Sequence, residues 1–189
     1  MVMGKTIRKY ILWAVLALPA VLIALSFAKG GMDHGDVIHQ TGLWSATFLL
    51  PALAATPFRH LFPKANWPRK LMYHRRALGV ATFGYAAFHA AIYIKSKWGA
   101  GLILKEAQGA DLLTGWIALF IFLIMALTSN NFSVKKMGRR WQGLHRLVYL
   151  ATALVFVHWL LTSSETGAAY QFLGAVLIIE ALRFIRRKA

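Results

Sequence analysis

The sequence contains no cysteine and only six acidic residues against 22 basic ones. Without cysteine there can be no disulfide, no thiolate metal site and no cysteine-ligated iron–sulfur cluster. In a soluble protein a formal net charge of +16 would suggest a nucleic-acid partner. We attribute the charge instead to the preference for basic residues on the cytoplasmic side of membrane proteins, and we expect no nucleic acid.

A dinucleotide-binding motif is also missing. No Gly-x-Gly-x-x-Gly follows a predicted strand, and no polar segment is long enough to form a nicotinamide-binding domain. We therefore expect that the chain does not take hydride from NAD(P)H through a domain of its own.

Long apolar runs dominate what is present. Hydrophobic residues make up 58% and charged residues 15% of the 189 residues, whereas soluble domains carry about 25% charged residues. Six runs approach or reach the roughly 17–25 residues that a membrane-spanning helix needs. We predict an all-α integral membrane protein with a single domain over residues 1–189, built from the segments Tyr10–Ala28, Thr41–Phe58, Ala77–Ile94, Leu112–Phe132, Leu147–Ser164 and Gly167–Leu182.

The basic residues alternate between the two ends of these segments. The N-terminal region, residues 59–76, residues 135–146 and the tail 183–188 hold three, six, five and four of them. The intervening loops hold only four in all and most of the acidic residues. Because basic loops stay in the cytoplasm, we predict that both termini are cytoplasmic.

Two histidines lie at the same depth in this orientation. His89 is 13 residues beyond Arg76 and His158 is 12 residues beyond Arg146. At the rise of an α-helix both lie roughly 18–20 Å from the cytoplasmic surface. Imidazole is a common axial ligand of heme iron, so that one histidine from each helix can complete a b-type heme site suited to electron transfer.

A second pair, His74 and His145, matches in depth at the cytoplasmic surface. If it held a second heme, the two irons would lie roughly 20 Å apart. However, His145 and His158 are 13 residues apart, which is about 220° of rotation on a straight helix. The pair His89 and His158 (the outer pair) therefore does not require a heme at the pair His74 and His145 (the inner pair).

Other interpretations of these residues remain open. His89 and His158 can be polar contacts between helices or members of a proton relay in a transporter, although acidic residues deep in the helices are lacking. His74 and His145 can be solvated at the membrane surface. Glu180 and Arg183, three residues apart, are expected to form a local ion pair.

Several short motifs over most of the chain support the heme interpretation. They are "HQTG" at 39–42, "TPFR" at 56–59, "RRALG" at 75–79, "FHAAIY" at 88–93, "LTS" at 127–129 and "GRRWQGLHRLVYL" at 138–150. With these motifs the chain resembles the MsrQ (YedZ) family, the heme-binding membrane subunits of the bacterial periplasmic methionine-sulfoxide reductase system. That family belongs with the ferric-reductase-like transmembrane domains, which include the membrane part of NADPH oxidases.

The resemblance implies a six-helix bundle in the bacterial inner membrane with heme b and FMN. His89, His145 and His158 are its candidate iron ligands, to which the depth argument adds His74. Electrons would pass from the quinone pool or a cytosolic flavin reductase to a periplasmic molybdenum-containing methionine-sulfoxide reductase. Arg75 and Arg76 are candidates for binding the anionic groups of heme or FMN, although attraction to anionic lipids also explains a basic face. The alternative is a heme-containing transmembrane reductase of ferric iron or oxygen.

Overall fold

The computed structural model describes residues 2–97, 109–163 and 166–184, with the side chains of residues 2–6 left out. This part of the chain is all-helical, as predicted. The end of the fifth predicted segment, at Ser164, and most of the basic C-terminal tail lie outside the described residues. The helices are α1 (Val2–Ala28), α2 (His34–Leu61), α3 (Asn66–Lys97), α4 (Ala110–Leu127), α5 (Asn131–Met137), α6 (Arg139–His145), α7 (Val148–Thr162) and α8 (Gly167–Ala181).

Four helical stretches in the described residues are long and apolar enough to cross a membrane: Ile7–Ala28, Asn66–Lys97, Ala110–Leu127 and Arg139–Thr162. The other two predicted segments fall on helices of a different character. Helix α8 is apolar but has only 15 residues. Helix α2 has 28 residues, but prolines and hydroxyl side chains interrupt its apolar run. It also carries ten of the buried residues, so that protein rather than lipid surrounds much of it.

The fourth predicted segment, Leu112–Phe132, ends five residues earlier in the structure, at Leu127. Thr128 donates its hydroxyl proton back to the carbonyl of Ile124 at 2.8 Å, and the Asn130 side chain accepts from the Ser133 N–H to start α5. Hydroxyl and amide side chains compete with the helical backbone in this way. The polar residues at 128–130 therefore turn the chain before the next apolar residue.

Two antiparallel helix pairs form the centre of the bundle. In the α2–α3 pair, Arg75 near the start of α3 donates to Thr56 near the end of α2, and Ser45 donates to the carbonyl of Thr82 between them. In the α4–α7 pair, His158 contacts the start of α4. Leu49 and Leu53 of α2 are almost fully buried in the core that joins the two pairs and α8.

Helix α1 packs on the outside of the α2–α3 pair and is held there by Tyr85. Pro19 lies inside α1, where the missing N–H and the ring open the helical hydrogen-bond pattern. The Tyr85 hydroxyl accepts from the Ala20 N–H at 2.8 Å and donates to the Leu16 carbonyl at 2.9 Å. It thus bridges two backbone groups one helical turn apart.

We expect a Tyr85→Phe variant to lose about 1–3 kcal/mol of stability, because it leaves backbone groups of α1 without this partner. Unfolding in detergent measures the loss, and Tyr10→Phe is the matched control because Tyr10 is 69% exposed. Equal stability of the two variants would contradict the bridging role.

Near the C-terminal end of the described residues, the predicted ion pair is confirmed. Arg183 Nε lies 2.7 Å from Glu180 Oε2. Its guanidinium also lies over the Tyr149 ring, 4.9 Å from the centroid. This contact joins the end of α8 to the start of α7.

Candidate functional site

The two histidines predicted at equal depth meet in the structure. His89 of α3 and His158 of α7 have ring centroids 6.1 Å apart and ring planes at 84°. They come from the two different antiparallel pairs, so that the space between them lies between the halves of the bundle.

Each histidine is oriented by a backbone carbonyl of the neighbouring helix. His89 Nδ1 lies 2.8 Å from the Ile38 carbonyl of α2, and His158 Nδ1 lies 2.7 Å from the Asp111 carbonyl of α4. A carbonyl only accepts, so in each ring Nδ1 carries the proton of this hydrogen bond, which leaves Nε2 as the nitrogen that can bind a metal. This is the arrangement that metal-binding histidines adopt, with the other ring nitrogen hydrogen-bonded to an acceptor.

A cavity of about 450 Å³ adjoins both rings. Residues of α2, α3, α4 and α7 line it, including apolar side chains, Trp116 and Trp159. His39, the first residue of the "HQTG" motif, is exposed and also lines this cavity. The volume falls within the roughly 300–1,000 Å³ of cofactor and ligand sites.

The separation of the rings fits one metal ion between them. An imidazole nitrogen binds a transition metal at about 2.0–2.1 Å, so that two facing rings on one ion have centroids about 6 Å apart. Within the described residues, no cluster of three or more His, Asp or Glu side chains could hold a metal by itself. A pair of histidine ligands suits an ion whose remaining ligands come from a macrocycle, as in heme.

The inner candidate His145 has a different environment. Its Nε2 lies 3.0 Å from Thr128 Oγ1, and its ring stacks on Trp141 at 3.9 Å. Because the Thr128 hydroxyl donates to Ile124, its oxygen accepts the proton of His145 Nε2. Trp141 Nε1 also donates to the Thr128 carbonyl at 2.9 Å. His145 and Trp141 thus fasten α6 to the end of α4.

The other inner candidates are only partly joined to His145. Arg76 donates to Asn131 at 2.7 Å, and its guanidinium lies 5.8 Å from the Trp141 ring. Arg75 contacts α2 instead. The ring of His74 packs against Tyr73, and no ring contact with His145 is present in the described part of the chain. The facing geometry of the outer pair is therefore not repeated here.

The sequence did not point to the acceptors that orient the outer histidines. Ile38 and Asp111 contribute main-chain carbonyls, which every residue has, and no side-chain pattern marks them. His34 and His60 lie in the first and last turns of α2.

The fold and the site define a helical membrane protein with two opposed histidines inside the bundle. Residues 41–157 match the family described as "Ferric reductase like transmembrane component", and this range contains His89 and ends one residue before His158. The chain therefore belongs to the ferric-reductase-like transmembrane family and, within it, with the MsrQ proteins to which it is similar over most of its length.

Three relatives document that similarity. A protein of Brucella anthropi is 36% identical over 98% of this chain and 87% of its own length. Proteins of Brucella ovis and Brucella canis are each 40% identical over 90% of this chain and 78% of theirs. All three carry the name "Protein-methionine-sulfoxide reductase heme-binding subunit MsrQ". The resemblance predicted from the short motifs is thereby confirmed.

Proposed function

We propose that this protein carries electrons across the bacterial inner membrane through one b-type heme held by His89 and His158. The facing geometry of the two rings, with Nδ1 of each bonded to a carbonyl, is the observation that supports this most strongly. When bound, the heme supplies a reversible one-electron iron couple. The protein binds Nδ1 of each ring to a carbonyl, which leaves Nε2 as the iron-binding atom, and both rings line one largely apolar cavity.

We further propose that all six predicted segments span the membrane and that both termini are cytoplasmic. The alternation of basic residues supports this orientation. The burial of α2 inside the bundle explains how a less apolar helix can cross. The outer histidine pair then lies toward the periplasm. Trp141, His145, Thr128 and Arg76, which we call the cytoplasmic cluster, lie at the cytoplasmic surface.

The cytoplasmic cluster is the proposed electron-accepting end. Arg76 lies beside Trp141 and, with Arg75 one residue before it on α3, supplies positive charge for an anionic group, such as the phosphate of FMN. Quinol or a cytosolic flavin reductase is the proposed donor. A second heme at His74 and His145 is the alternative, but it would require His145 to give up its Nε2 bond to Thr128.

The proposed acceptor is a periplasmic molybdenum-containing methionine-sulfoxide reductase. The names of the Brucella relatives support this, because they place those proteins in methionine-sulfoxide reductase systems. The description of the family supports the second candidate, reduction of ferric iron.

Vesicles of known orientation distinguish these acceptors. In right-side-out vesicles loaded with quinol, we expect heme reduced anaerobically to be reoxidised when oxidised molybdenum reductase is added outside. Inside-out vesicles should show no such reoxidation. A ferric chelate and oxygen, each added alone, are the comparison acceptors. Fast reoxidation by the chelate or oxygen, with none by the molybdenum enzyme, would contradict the proposed acceptor in favour of the alternative.

A further inference from the structure

Each outer histidine packs on a glycine of the neighbouring helix. A Cβ added to Gly42 of α2 would lie 3.2 Å from His89 Nδ1. A Cβ added to Gly115 of α4 would lie 2.8 Å from His158 Nδ1 and Cε1, closer than real Cβ atoms come. Other helical glycines are different, because a Cβ on Gly84 or Gly174 would have no such neighbour within 4 Å.

The spacing between the glycine and the carbonyl that binds the histidine is the same on α2 and on α4. The carbonyl that binds His89 belongs to Ile38, four residues before Gly42, and the carbonyl that binds His158 belongs to Asp111, four residues before Gly115. In an α-helix such a carbonyl already accepts the N–H four residues later. The hydroxyls of Thr41 and Thr114 also lie 3.1 and 2.9 Å from these two carbonyls, but each has a second acceptor in the carbonyl of Val37 or Ala110, so a lone pair remains for the imidazole. Every Cβ tilts toward the helix N-terminus. A side chain at the glycine position would therefore cover the carbonyl that the histidine needs.

We propose that Gly42 and Gly115 are positioning residues of the heme site, each exposing the carbonyl that orients one axial histidine. This inference rests on the proposed function. Each glycine lets a ring come close to the helix, which keeps the proton on Nδ1 and holds the ring plane. Two such contacts from two helix pairs place the rings at the observed 84°. Neither glycine touches the iron, so both act through the histidines.

Two physical consequences distinguish this role from ordinary close packing of helices at small residues. A hydrogen bond from Nδ1–H to a carbonyl makes the imidazole a more basic ligand, which stabilises ferric over ferrous iron. Loss of this hydrogen bond should therefore raise the midpoint potential of the heme. The fixed, nearly perpendicular planes should also give the ferric low-spin heme an EPR signal with large g anisotropy, which shrinks when a ring is free to turn.

The test compares Gly115→Ala and Gly42→Ala with the controls Gly84→Ala and Gly174→Ala in the heme-loaded full chain. We expect Gly115→Ala to weaken heme retention by about 10–100-fold, the usual effect of losing a partner of a metal ligand. Its remaining heme should have a raised midpoint potential and reduced g anisotropy. Gly42→Ala should change both quantities in the same direction but less, because its Cβ needs only a small shift. The controls should match the wild type.

Each other result overturns the inference. Unchanged potential and EPR signal in both Gly42→Ala and Gly115→Ala would do so, even if stability falls, because a packing role predicts that pattern. If Gly115→Ala does not fold, the milder Gly42→Ala decides alone, and a wild-type potential and EPR signal there contradict the proposal. Loss of heme in His89→Ala and His158→Ala beside unaffected glycine variants would leave the proposed function standing. Heme retained in both histidine variants would instead remove the proposed heme site itself.

Discussion

Replacing either His89 or His158 with alanine is expected to lower the heme content of the purified protein by at least about tenfold, since loss of a partner of a metal ligand alone costs 10–100-fold. The two ring centroids lie 6.1 Å apart, and in the proposed site both histidines would be needed to hold the iron, so neither could replace the other. Visible spectra and heme assays should show loss of the low-spin b-type signal in both single variants.

His60→Ala is the control for this experiment, because His60 is exposed in the last turn of α2. It should keep the wild-type spectrum and heme content. Wild-type spectra and heme content in both His89→Ala and His158→Ala would mean that this pair does not bind the heme.

His145→Ala is expected to keep the heme but to slow its reduction by a cytoplasmic donor by about tenfold, the lower end of the effect of outer-shell groups on activity. The ring fastens α6 to α4 through Thr128 and supports Trp141. Without the imidazole, α6 and the Trp141 ring are no longer held in place at the surface where we propose that the donor docks. Stopped-flow reduction by quinol measures the rate, and the heme-to-protein ratio should stay near one.

His74→Ala is the matched control at the same depth, because its ring contacts only Tyr73 among the described aromatic side chains. It should keep the wild-type rate. A wild-type ratio near two that falls to one in both His145→Ala and His74→Ala would instead demonstrate a second heme at the cytoplasmic level.

The outer pair was predictable because depth in a membrane is one-dimensional. The basic residues predict the orientation, and the constant rise of a helix then predicts one level for His89 and His158, whose rings meet in the structure. Rotation about the helix axis does not follow from the rise alone. Depth therefore matched His74 and His145 equally well, although in the structure His145 points to Thr128 and no ring contact joins the two among the described residues.

The sequence by itself determined the all-helical class, the four stretches of the described residues that are apolar enough to cross a membrane, and the pair His89 and His158, because apolar runs and helix rise are local properties of the chain. Only the tertiary structure decided which helices pair, and therefore which backbone groups each histidine meets. The carbonyls of Ile38 and Asp111 have no side-chain signature. The role proposed for Gly42 and Gly115 can be recognised only in the folded structure. The histidines that pack against them, His89 and His158, are 47 and 43 positions away in the chain.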